Sequence, residues 1–268
     1  MRFIQSVLTG CFFMVAVLAQ PVLSAKADDL IYEGSVPIGE YIIVEAGKAF
    51  KEKYGVNFDA IYTSGTDVAL KSLQENKCDV AGIARSLTPE EKSSKFYFQI
   101  IGYDTLAVFV NEKNRVEGLT TEQLRRIFTG AVRNWREVGG ADLPIRKVVD
   151  GTPGRTLNNE FKKLALNSEE YFDVEMTANP REHLLQVTTD VAVITFDSLP
   201  FKPEGAKILE IDGHEATDKN VRWGVYPLKR PLHLMCKGQP RGNVKKFMRF
   251  MLTPEGQAIV GKGFVRVK

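Results

Sequence analysis

A chain of 268 residues, 44% hydrophobic and 26% charged, carries enough apolar side chains for one large core or two moderate ones, which excludes a disordered tail. The formal charge is +3, and without Arg2 and Lys26, which fall in the leader described next, 34 basic side chains face 33 acidic ones. That balance gives no electrostatic ground for binding nucleic acid or a strongly acidic partner.

The amino terminus reads as a secretory signal peptide covering residues 1–27. Arg2 precedes an apolar stretch whose unbroken core is Cys11 to Ala19; Gln20 and Pro21 interrupt it, and Ala25 and Ala27 supply the small residues of a cleavage site. Leu8-Thr9-Gly10-Cys11 has the lettering of a lipoprotein signal, but its hydrophobic run follows the cysteine instead of preceding it. A mature chain starting at Asp28 without lipid is therefore expected. No later stretch approaches the roughly 20 apolar residues of a membrane-spanning helix.

From there strands and helices alternate. Leu30 to Tyr32 reads as a strand leading through Gly34-Ser35-Val36 into a helix that carries Ile42, Ile43, Ala46, Ala49, Phe50 and Tyr54 at helical spacing and stops at Gly55. A strand at Phe58 to Tyr62, the small polar residues Ser64-Gly65-Thr66, a helix with Val68, Leu70 and Leu73, and the apolar run Val80 to Ala84 follow. The pattern restarts with Leu106 to Val110, a helix around Leu124 and Phe128, a strand at Ile145 to Val149, a helix holding Phe161 and Leu164, and the run Val191 to Ile194. After Tyr226-Pro227-Leu228 come another apolar segment and two helices, Val244 to Leu252 and Glu255 to Val260, parted by Thr253-Pro254. Such alternation predicts an α/β fold with largely parallel sheet, in two lobes. Ligands of such sheets sit beyond the carboxyl ends of the strands.

Three loops lie at those ends. Ser35 and Val36 precede one helix, Ser64, Gly65 and Thr66 a second, and Gly151, Thr152, Gly154, Arg155 and Thr156 a third. Small residues before a helix expose backbone N–H groups and the positive helix end, as an anion site requires. Helix capping is the plainer explanation for any one loop, but three on one side point to a ligand. Arg85, just past a strand, adds a cation at the same edge. The segment Asp150 to Thr156 fails as a Walker motif, having too few residues between its glycines and Arg155 where the lysine belongs. No hydrolase, metalloprotease or dinucleotide signature is present. Cys78 and Cys236 read as two buried thiols, with a disulfide between them as the alternative in an exported chain. His183, His214 and His233 have no metal-ligand spacing, so neither metal nor cofactor is expected.

Asp79-Val80-Ala81-Gly82-Ile83-Ala84-Arg85-Ser86-Leu87, Asp104 to Asn111, Leu119 to Gly130 with Asn134-Trp135 and Val138-Gly139-Gly140, Tyr226 to Leu232 and Thr253 to Gln257 together resemble the periplasmic phosphate-binding proteins of ABC importers, over nearly all the mature chain. The resemblance implies a type II periplasmic-binding fold, two α/β lobes joined by two crossovers around a ligand cleft. Residues 28–104 and 226–268 would form the first lobe and 105–225 the second. It also implies a monomer in the periplasm that binds phosphate or a similar oxyanion, works without catalysis and serves an ABC permease of the inner membrane. In the third loop the chain departs from the family, with Asp150 where an arginine pairs the anion and Thr152 to Thr156 in place of Gly-Ser-Gly-Thr. That departure keeps open an alternative, the same fold used as a sensory or accessory protein with another ligand.

Overall fold

A computed structural model describes residues 29–93, 95–153, 156–179 and 181–267. The segment read above as a signal peptide and, in the third loop, Gly154 and Arg155 lie outside the described residues. β1 (Leu30–Gly34) feeds a continuous helical stretch, α1 (Val36–Ile38), a π turn (Gly39–Ile43) and α2 (Val44–Tyr54). Gly55 ends it with φ 70°, its N–H bonding the Lys51 carbonyl, the glycine stop the sequence suggests. Next come β2 (Phe58–Tyr62), α3 (Thr66–Gln74), β3 (Val80–Ile83), the short α4 (Pro89–Ser93) and β4 (Phe96–Asn111). The second lobe contains β5 (Gly118–Leu119), α5 (Thr121–Phe128), β6 (Arg146–Asp150), α6 (Leu157–Ala165), β7 (Glu175–Thr177), α7 (Glu182–Thr189), β8 (Val193–Ser198), β9 (Ala206–Ile208), β10 (Glu210–Ile211) and α8 (Asp218–Arg222). β11 (Lys229–Lys237), α9 (Gly242–Met251), α10 (Pro254–Val260) and β12 (Val265–Arg266) complete the chain.

The main sheet runs β2-β1-β3-β11-β4-β8-β6-β7. β1 is parallel to β2 and β3, and β6 is parallel to β7 and β8, while β11 and β4 pair antiparallel in the middle. β4 is the element that joins the lobes: Phe96 to Thr105 pair with β11, and Leu106 to Val110 pair with β8. Each lobe has its own core. On one side Phe50, Phe58, Phe247 and Phe250 gather with ring centroids 4.8 to 5.6 Å apart in the closest pairs. On the other, Phe128, Phe161 and Phe196 pack with Leu124 and a buried Trp135, whose indole N–H bonds the Ala192 carbonyl at 3.0 Å. No helix among the described residues is long and apolar enough to cross a membrane.

Cys78 and Cys236 are both buried and free. Strand alternation explains why: Cys236 belongs to the apolar cluster with Leu234, whereas Cys78 sits in the cluster with Met235, on the opposite face of the sheet. Burial pushes the two thiols up to about 12 and about 11 respectively, so both stay protonated.

His233, buried on β11, has its pKa lowered from 6.5 to about 4, chiefly by burial. A depressed histidine contributes stability that is complete above the unfolded value and is lost as pH falls toward the folded one. Chemical denaturation is expected to show stability declining between pH 6.5 and 4, with up to about 3 kcal/mol of that decline absent from His233→Gln. Equal slopes in the two proteins would remove His233 from the account.

Candidate functional site

β1 and β2 run parallel in the first lobe, and β6 runs the opposite way in the second, so their carboxyl ends and the loops after them approach each other from the two lobes. Ser35 N–H bonds the Gly82 carbonyl at 2.9 Å and Gly65 N–H bonds the Gly34 carbonyl at 3.0 Å, so the first two loops are laced to each other and to β3. Gly65 adopts φ 101° and ψ 169°, a conformation nearly closed to other residues. Beneath them the Tyr32 phenol occupies the space over Gly34 and Gly82. A Cβ at either glycine would lie 2.1 or 1.9 Å from its oxygen.

Hydroxyls at helix starts behave differently here than elsewhere in the chain. Thr120, Thr217 and Thr253 each accept a hydrogen bond from their own helix, at 3.0, 3.3 and 3.2 Å. Ser35 and Thr156, N-caps of α1 and α6, make no such bond. The Ser35, Thr66 and Thr152 hydroxyl oxygens are moreover buried with no hydrogen-bond partner among the described residues. An unsatisfied buried oxygen costs about 1–3 kcal/mol, a penalty that a ligand would remove.

Ser35, Val36, Gly65, Thr66, Thr156 and Arg230 line a cavity of about 20 Å³, room for a group of only a few atoms. Hollows of about 410 and 880 Å³ exist elsewhere, but they lie outside the meeting point of these loops. Arg230 is the residue that sequence reasoning overlooked. It is 2% exposed, and Asp104 holds it through Nε at 2.9 Å and Nη2 at 2.8 Å. Nη2 also donates to Ser198 Oγ at 3.2 Å, and that hydroxyl donates to Asp104 at 2.7 Å. Burial raises the Asp104 carboxyl above its ordinary range, with Arg230 and Ser198 pulling the other way. The available signal was a lone arginine within an apolar strand, in the Tyr226 to Leu232 stretch.

Other candidates stand apart from this cavity. Arg85 turns aside: its guanidinium forks onto Glu91 at 2.7 and 2.8 Å and reaches the Ser86 carbonyl at 3.0 Å. Gly151 N–H bonds the Thr177 carbonyl at 3.0 Å and Thr152 N–H bonds Asp150 Oδ1 at 2.8 Å, so both amides are engaged within the second lobe. Ser64 and Thr152 border a neighbouring, larger cavity.

Asp150, His183 and Asp197 form a buried group that histidine spacing did not reveal, their ligand atoms within 4.8 Å of one another. His183 Nε2 lies 3.2 Å from Asp197 Oδ2, and Asp197 Oδ1 accepts the Ser198 N–H at 2.7 Å. The His183–Asp197 contact ties α7 to β8, with Asp150 of β6 close beside it.

Two lobes, a bridging strand pair and an enclosed pocket at the strand ends define a type II periplasmic-binding protein. Residues 39–255 match the PBP superfamily domain, and the chain belongs to that family. It is 24% identical to the phosphate-binding protein PstS of Bacillus subtilis over 258 residues, 91% of this chain and 84% of that one. A Clostridium perfringens structure, described as a candidate phosphate ABC transporter substrate-binding protein with bound phosphate, matches at TM-score 0.81 and 27% identity, covering 90% of this chain and 100% of that one. An ABC-type phosphate transport receptor from Vibrio cholerae shares the fold at TM-score 0.76 and 19% identity, covering 88% and 99%.

Ser35→Ala and Thr66→Val each delete an unpartnered oxygen. Ligand-free stability is expected to hold or rise slightly, while anion affinity drops about five- to tenfold, near 1 kcal/mol per neutral hydrogen bond. Calorimetric titration alongside chemical denaturation checks both. A variant that loses stability and keeps affinity would assign the hydroxyl to the fold.

Proposed function

We propose that the chain is an exported binding protein that captures inorganic phosphate, or an oxyanion of the same shape, between its lobes and passes it to an ABC permease of the inner membrane. One observation carries this reading: the unpartnered hydroxyls of Ser35 and Thr66 and the guanidinium of Arg230 share one small pocket. Hydroxyls replace part of the anion's hydration, and the arginine supplies charge without a proton to lose. The names of the relatives, phosphate-binding proteins and phosphate transport receptors, support the same ligand. Residues 1–27 would direct export and be removed.

The reading involves no covalent step. Ser35 Oγ has no hydrogen-bond partner among the described residues, so no neighbouring base is paired with it as an adjacent activating group would be. Closure of the lobes about β4 and β11 would take the anion out of water. Arg85 and Glu160 flank that closure, since Glu160 on α6 accepts the Ser86 N–H at 3.4 Å from the other lobe. A sensory or accessory role draws on the third loop, whose first two amides face inward.

Titration with phosphate, arsenate, sulfate and molybdate tests the ligand. Phosphate at about 100 times its Kd should stabilise the fold by ~2.7 kcal/mol. No stabilisation by any of the four at millimolar concentration would overturn the transport reading and favour the sensory one.

Arg230 allows a separation of roles. Arg230→Gln leaves Asp104 buried and unpaired, which is expected to cost about 3–5 kcal/mol. Pairing it with Asp104→Asn should recover most of that stability but not the anion affinity, which is expected to fall at least about tenfold with the loss of a charge-assisted bond. Denaturation and titration of both variants read the two effects. A double variant with wild-type affinity would confine Arg230 to a structural role.

A further inference from the structure

The near-neutral net charge conceals an uneven distribution. Residues 219–254 hold nine cations and no carboxylate, leaving 25 basic against 33 acidic side chains for the rest of the chain after the leader. Five of the nine are engaged within the protein. Arg230 pairs with Asp104 and Arg222 with Asp218. Lys237 donates to the Gln74 carbonyl and Asn76 Oδ1, Lys229 donates to the Val221 carbonyl, and Lys219 lies 4.4 Å from the centre of the Trp223 ring. The side chains of the other four, Arg241, Lys245, Lys246 and Arg249, meet no partner among the described residues. Exposed cations elsewhere are matched: Lys53, Arg146 and Lys162 each reach a carboxylate, at 2.6, 2.6 and 2.9 Å.

α9 explains the grouping. With 3.6 residues per turn, positions 241, 245, 246 and 249 fall on one face of the helix, and all four are exposed. The opposite face, Phe247, Met248, Phe250 and Met251, is buried in the first-lobe core. Gly242 is the only other exposed residue of this stretch, so no exposed apolar side chain stands among the cations. The helix follows the carboxyl end of β11, where Lys237 pairs with Phe96 and lies near Asp79 at the start of β3. Because β11 runs antiparallel to β3, that end of the sheet is opposite the loops that carry Ser35 and Thr66.

The composition of the face selects its occupant. Protein interfaces are centred on aromatic or aliphatic anchors and are poor in lysine, which this face reverses. A lipid surface asks for no anchor: anionic headgroups present diffuse negative charge, and each nearby Lys or Arg strengthens binding about fivefold. Insertion into the bilayer would need an apolar helix face, and that of α9 is already committed to the core. We infer that the outer face of α9 docks the protein reversibly, by charge alone, on an anionic phospholipid surface. The contact is independent of the anion pocket and leaves the loops of the cleft uncovered.

Co-sedimentation of the exported form with vesicles of phosphatidylcholine, alone or mixed with phosphatidylglycerol, tests the inference. Binding is expected only on the mixed vesicles, at about 0.01 M salt where charges act over about 30 Å, and should vanish near about 1 M where they act over about 3 Å. Lys245→Gln combined with Lys246→Gln should weaken it about thirtyfold. Lys113→Gln combined with Lys202→Gln, an equal change of net charge at exposed positions of the second lobe, should alter it by no more than about twofold. Thermal unfolding checks that both variants are folded. Equal losses in the two pairs would overturn the inference by tying binding to net charge. So would binding to phosphatidylcholine that survives high salt, or no binding to the mixed vesicles at low salt. Capture by poly-glutamate without vesicle binding would overturn it too, assigning the face to an acidic protein.

Discussion

The ion pair between Asp104 and Arg230 is the interaction on which the rest of the structure turns. The two residues face each other across the β4–β11 ladder, at the place where β4 leaves one lobe for the other. Buried pairs of this kind add little net stability, because desolvation offsets much of the attraction. Hydrophobic residues would hold two strands together as well. What they would not provide is a fixed guanidinium at the wall of the pocket. The pair therefore ties both crossovers at the hinge and sets a positive charge beside the loops in the same act.

Around that charge the chain leaves polar groups unsatisfied, and it does so selectively. Thr120, Thr217 and Thr253 cap their helices, so the fold has no general difficulty in making such bonds. Ser35 and Thr66 instead hold their hydroxyl oxygens in a pocket without partners. Groups preorganised in this way lose little on binding, since their geometry is fixed before the ligand arrives. Burial and preorganisation of this kind suit a site for holding an anion.

Much of this was legible in the sequence, for identifiable reasons. Phe58 to Tyr62 and the helix stop at Gly55 follow from local pattern and backbone preference, and the structure repeats them. The loops at Ser35, Gly65 and Thr156 could be located because helix starts leave a compositional mark. The first half of β4 was missed: Gln99, Gly102 and Asp104 interrupt its apolar run, and only pairing with β11 makes it a strand. α7 escaped notice because it begins after Arg181 in a left-handed conformation, without a capping side chain. Arg230 and Arg85 show the limit most clearly. Arg85 looked available at a strand end, but Glu91, six residues on, claims its fork. Arg230 lay hidden in a strand, and only its long-range pairing with Asp104, 126 residues away, brings it to the pocket. Local sequence places loops; which charges face a ligand is decided by contacts that sequence spacing does not display.

The most direct measurement is a crystal structure of the protein with phosphate. The account predicts one tetrahedral anion between the lobes, within hydrogen-bond distance of Ser35 Oγ, Thr66 Oγ1 and the Arg230 guanidinium, with Arg85 still paired to Glu91. An anion bound at Arg85 with the Ser35 and Thr66 hydroxyls left unpartnered, or a pocket closed by protein atoms in the presence of saturating phosphate, would contradict it.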